Sequence, residues 1–88
     1  MQNIVVVLDG TAQAEQLVAD AAAAGAHVTA IGRNFREVVA VMAHGVYPLV
    51  ADLSDPEQWD YAVARVEQRY GSIDRVIDPA DRLAVRAA

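Results

Sequence analysis

Few residues in this chain could do chemistry. The two imidazoles, His27 and His44, are far apart, and neither has a partner at ligand spacing such as i, i+4. His27 starts a strand and His44 ends a helix, where a cation suits the helix dipole, so neither reads as a metal ligand. Cysteine is absent, which excludes disulfides, thiol chemistry and thiolate metal sites. The acids Asp55, Glu57 and Asp60 crowd together, but they fall in the first turns of a helix, where a carboxylate is stabilised without any ligand. Trp59 recurs with Ala62, Val63, Val66 and Tyr70 at helical spacing, which places it in a core and not on a stacking platform.

The bulk properties narrow the choice of partners. The net charge is −5, with seven arginines, twelve acids and no lysine. Such a chain has no basic run with which to release counterions, so no nucleic-acid partner is expected. No apolar run approaches the roughly 20 residues that cross a bilayer, and the first residues enter a strand without a basic leader. The expectation is a soluble, cytoplasmic protein. Residues 1–88 make a single domain that buries only about 60–65% of its unfolded surface. Apolar residues reach 55%, more than so small an interior absorbs, and this favours self-association.

The elements that position these residues follow from periodicity and punctuation. Ile4 to Leu8 is a continuous apolar run of the kind found in parallel strands covered on both faces. After Asp9-Gly10-Thr11, a helix with Leu17, Val18, Ala21 and Ala22 on one face runs to Ala24 and stops at Gly25. Val28 to Ile31 form the second strand. Asn34 and Glu37 cap a second helix, with Phe35, Val38, Val39 and Met42 as its apolar face and Gly45 as its stop. Val46 to Ala51 is the third strand, and Pro48 within it requires a sheet edge. Ser54 with Glu57, or Asp55 with Gln58, caps the third helix, and Pro56 suits its first turn. Gly71 ends it, and Arg75 to Asp78 make a fourth strand. The alternation predicts an α/β fold, a three-layer Rossmann-like parallel sheet of about four strands in the order 3-2-1-4.

Four short marks sit in this frame: Ala24-Gly25-Ala26, Ile31-Gly32-Arg33-Asn34, Ala51-Asp52-Leu53 and Gly71-Ser72-Ile73-Asp74. In this order and spacing the chain resembles the N-terminal Rossmann portion of the short-chain dehydrogenases/reductases. The likeness spans positions 3 to 78 and corresponds to the first third of that family's domain. It implies a truncated domain, and it is a better guide to fold than to activity.

The resemblance fails where the family does its chemistry. Its Gly-x-x-x-Gly-x-Gly turn falls on Leu8, Ala12 and Ala14, so side chains fill the space a pyrophosphate needs. Asp9 adds a carboxylate near the helix N-terminus, where a phosphate would sit. The family's Asn-Asn-Ala-Gly stretch becomes Asp78-Pro79-Ala80-Asp81, and its Tyr-x-x-x-Lys pair cannot occur without lysine. Tyr47, Tyr61 and Tyr70 precede Ala51, Arg65 and Asp74 at that spacing. No catalytic residue is expected, and the chain alone is not expected to be an enzyme.

The adenosine end persists in part. The resemblance implies that Arg33 meets the 2′-phosphate of NADP, that Asp52 meets the adenine amino group, and that Leu53 lies beside the ring. Gly32 stands where members preferring NAD carry an acid. Arg33, Asp52 and Leu53 are thus the candidate cofactor residues, with NADP(H) the cofactor if there is one. The plain alternative makes Arg33 one surface arginine among seven and Asp52 the end of a strand. A phosphoreceiver domain is also α/β with acids after strands 1 and 3, but Leu8 stands where it needs a second acid, and its lysine is missing.

The expectation is therefore a degenerate, non-catalytic domain that acts through self-association or protein interaction. A homodimer would cover the open edge of strand 4 or a sheet face that helix 3 and a short helical tail, Ala80 to Ala88, leave thinly covered. A partner protein could do the same. The alternative is an NADP(H) or adenine-nucleotide-binding module, one that could belong to a two-chain oxidoreductase.

Overall fold

A computed structural model describes residues 2–42 and 45–78. His44 and the segment from Pro79 to Ala88 lie outside the described residues, and with them the expected helical tail, while the second helix ends at Val39 and not at Gly45. The elements are β1 (Asn3–Val7), α1 (Ala12–Ala23), β2 (His27–Gly32), α2 (Phe35–Val39), β3 (Tyr47–Val50), α3 (Pro56–Tyr70) and β4 (Arg75–Ile77). The strands form one sheet in the order β3-β2-β1-β4, and every pair is parallel. The fold is α/β and Rossmann-like, with the strand order that the sequence implies.

Alternation along the strands divides the core. Ile4, Val6 and Leu8 point to one face with Val28 and Ala30, where Ala14 and Val18 of α1 and Val38 of α2 cover them. Val5, Val7 and Ile31 point to the other face, under Ala62 and Val66 of α3. Right-handed crossovers to opposite sides of β1 demand this distribution of helices. β1 is buried along its whole length, as the parallel interior strand of a three-layer fold must be.

Local chemistry sets the helix ends. Thr11 caps α1 by accepting from Ala14 N, and Gly25 beyond its end takes φ +87°. Asn34 caps α2 by accepting from Glu37 N at 3.1 Å, and Glu37 reaches back to accept from Arg33 N at 2.8 Å. For α3 the Asp55–Gln58 alternative holds. Asp55 accepts from Glu57 N at 3.0 Å, while the Gln58 side chain accepts from Asp52 N at 2.6 Å. Asn3 ties β1 to the turn before β4: its amide donates to Gly71 O and Ser72 O, and its backbone N donates to Asp74.

The second helix departs from expectation. α2 is only five residues long, and it and the turn after it bury Val38 and Val41. Phe35, Val39 and Met42, assigned above to the apolar face, are 66%, 47% and 45% exposed. The cause is the approach of α2 to Gly32. A Cβ on Gly32 would stand 2.8 Å from Glu37 Cβ and 3.1 Å from Val38 Cγ1, so α2 seats on a bare backbone through Val38. Val41 completes that contact at i+3, and the neighbouring stripe of Phe35, Val39 and Met42 turns outward.

β3 is an edge strand, as Pro48 requires. Ala51 N donates to Gly32 O, so alternate residues back along β3 turn their amides to β2, and Pro48 faces outward, where it owes no hydrogen bond. No described helix is long and apolar enough to cross a membrane.

Candidate functional site

The carboxyl ends of β1, β2 and β3 converge on a cavity of about 120 Å³. Leu8, Gly32, Arg33, Asp52, Leu53 and Ser54 contribute to its lining. The three candidate residues Arg33, Asp52 and Leu53 therefore come together, delivered by the turns after β2 and β3. Crevices of this kind, outside the strand ends near a topological switch point, are where open α/β sheets bind ligands. The volume is well under the roughly 300 Å³ at which pockets for whole ligands begin.

Each of the three residues is partly committed. Leu53 is buried at 3% exposure within the core cluster under α3. Asp52 Oδ1 accepts from both the hydroxyl and the backbone N of Ser54. Those two bonds, first the hydroxyl and then the amide, hold the Asp52 pKa below the usual carboxylate range, with a smaller contribution from the charge of Arg33. The guanidinium of Arg33 is exposed and makes no hydrogen bond to the described residues. Gly32 is bare because α2 packs there, so an acid in its place would be excluded sterically.

The start of α1 is where a dinucleotide pyrophosphate would need free backbone N–H groups. Here the chain supplies its own acceptors. Asp9 Oδ1 accepts from both the amide and the hydroxyl of Thr11, and Thr11 Oγ1 accepts from Ala14 N at 3.3 Å. Leu8 and Ala14, which replace two of the three loop glycines, are buried in the core beneath. Gly10 has φ +79°, and a Cβ there would stand 3.4 Å from Glu37 Oε2, so a second carboxylate leans on the same loop. The residues present do not fit a pyrophosphate.

A second cluster lies at the opposite end of the sheet, and sequence reasoning missed it. His27 stacks on Tyr70 with ring centroids 4.5 Å apart, and Tyr47 meets Tyr70 edge-on at 6.3 Å. Arg69 lies over the Tyr47 ring at 4.6 Å, and its Nε donates to Tyr70 OH at 3.1 Å. Arg65 Nη2 donates to Tyr47 OH at 3.2 Å. The phenol oxygens hold both guanidiniums more firmly protonated than usual. The available signal was Tyr61, Arg65 and Arg69 at i, i+4 and i+8 on one helix. His27, with no ligand partner in sequence, spends its ring on stacking. Among the described residues no group of acids and imidazoles is arranged to hold a metal.

Comparisons with known proteins agree with this geometry. No family model and no curated protein matches the chain. Solved structures do. An oxidoreductase assigned to the short chain dehydrogenase/reductase family from Aeromonas hydrophila superposes with a TM-score of 0.80 at 25% identity, over 89% of this chain and 39% of its own. A short-chain type dehydrogenase/reductase from Mycobacterium ulcerans gives 0.80 at 22% identity over 89% and 32%. Menthone neomenthol reductase from Mentha piperita gives 0.71 at 16% over 91% and 32%. The chain spans about a third of the length of these proteins. Its fold is similar to that of the N-terminal Rossmann portion of short-chain dehydrogenases/reductases.

Proposed function

We propose that this chain is a non-catalytic Rossmann-type domain, acting in the cytoplasm through self-association or contact with a partner protein. The observation that carries this reading is the start of α1. The Thr11 amide is already bonded to Asp9 and the Ala14 amide to Thr11, and Glu37 leans on the same loop. A pyrophosphate would have to displace an internal carboxylate while approaching another, and both costs oppose binding. The composition supports assembly: the apolar fraction is high, and Phe35, Val39, Met42 and Val76 stand exposed.

One observation favours a second reading. Arg33, Asp52 and Leu53 line a single cavity, so the adenosine half of an NADP site is a coherent alternative. Arg33 would take a 2′-phosphate, Asp52 the adenine amino group, and Leu53 the ring. Such a module could serve a two-chain oxidoreductase in which another chain supplies the tyrosine and lysine.

Calorimetric titration with NADP(H), NAD(H) and ATP at low salt separates the two. The first reading expects no heat up to millimolar ligand. Saturable NADP(H) binding that disappears in Arg33→Ala would establish the second in its place.

A further inference from the structure

The outward face of α3 carries Glu57, Tyr61, Arg65 and Arg69, one step of four residues apart throughout. All four are exposed, and Tyr61 keeps 61% of its surface open. The two guanidiniums are held in place by Tyr47 and Tyr70 and by their own ring contacts, yet neither pairs with a carboxylate among the described residues. Glu57 likewise makes no ion pair there. An acidic molecule thus presents two prepared but unpaired arginines beside an exposed tyrosine. Tyrosine and arginine are the residue types that most often anchor protein interfaces.

The order of these residues reads against itself. Turned antiparallel about the middle of the helix, Glu57 falls opposite Arg69 and Tyr61 opposite Arg65. Ridges spaced by four residues are those that interdigitate in the commonest helix–helix packing. Ala64, small and exposed beside the ridge, leaves room for a close approach. We propose that a second copy of this chain docks here, α3 against α3 about a twofold axis, with each Glu57 facing the other copy's Arg69 and each Tyr61 facing the other copy's Arg65. The contact runs about 18 Å along the helix. It is isologous, so every pairing is made twice. The inference rests on the self-association proposed above and names its surface.

Sedimentation equilibrium of the full chain at tens of micromolar tests it, with Glu57→Arg and Arg69→Glu made separately. The wild type is expected at twice the monomer mass. Each variant alone sets like charges against each other and weakens pairing by about tenfold or more. An equimolar mixture of the two restores the dimer, because in the mixed pair every carboxylate again faces a guanidinium. That recovery also shows that the variants fold. A wild type that stays monomeric overturns this surface together with the self-association reading. A dimer that neither variant weakens, or a mixture that does not recover, overturns the α3 surface and leaves self-association standing.

Discussion

Asp52 commits one carboxylate oxygen to two bonds from a single neighbour, Ser54, and this is the clearest electrostatic feature of the strand-end cavity. Replacing Ser54 with alanine removes the hydroxyl donor, the largest cause of the lowered pKa, so the Asp52 pKa should rise toward its ordinary 3.8. A carbon-detected NMR pH titration of the carboxylate reads the change, and an unmoved midpoint would deny the hydroxyl its role. The linkage has a definite sign. A carboxyl more acidic in the folded state stabilises the fold above the unfolded pKa, and it loses that contribution as pH falls through the folded value. Because Asp52 is exposed, the contribution is screened. Thr29 presents the opposite situation: it is fully buried in β2, and its hydroxyl has no hydrogen-bond partner among the described residues. Thr29→Val keeps the shape and removes the unmet polar atom, so it should raise stability by about 1 kcal/mol in urea denaturation.

At the scale of elements, α2 is decided by what lies beneath it. Val38 and Val39 are neighbours of the same type, one buried at 1% and the other largely open. Val38→Ala is expected to cost about 2 kcal/mol, and Val39→Ala less than about 0.5 kcal/mol. Equal losses would mean that α2 sits on the sheet through a different stripe. This helix also marks the limit of what could be read from the chain alone. Strand order follows from the alternation of strands and helices, while the Asn34 cap, the Gly25 and Gly71 stops and the edge position of Pro48 rest on local chemistry, which is written in the sequence. The α2 face is not, because Phe35, Val38, Val39 and Met42 fit one apolar stripe as well as Val38 and Val41 fit another. The choice fell to Gly32, whose missing side chain admits Val38. The cavity residues were legible only through the family resemblance, and the arginine–tyrosine cluster was not legible at all, since Tyr47 joins Arg65 and Arg69 only once β3 lies beside α3.

For the molecule as a whole, protection should grade outward from β1. That strand is paired on both sides and covered on both faces, while β4 is three residues long with Val76 exposed. Native-state hydrogen exchange should find the slowest amides in β1 and β2 and the fastest strand amides in β3 and β4, with opening energies well below the global value at both margins. Uniform protection across all four strands would contradict this. The two margins also differ in kind. Along the rim of β3, the proline interrupts the row of donors that an incoming strand would need, so that side is sealed against extension. Among the described residues, the rim of β4 carries no such block. Growth of the sheet thus has a polarity: a strand added beside β3 meets the proline, and one added beside β4 does not. A fibril must add strands at both margins, and the proline hinders addition at one of them.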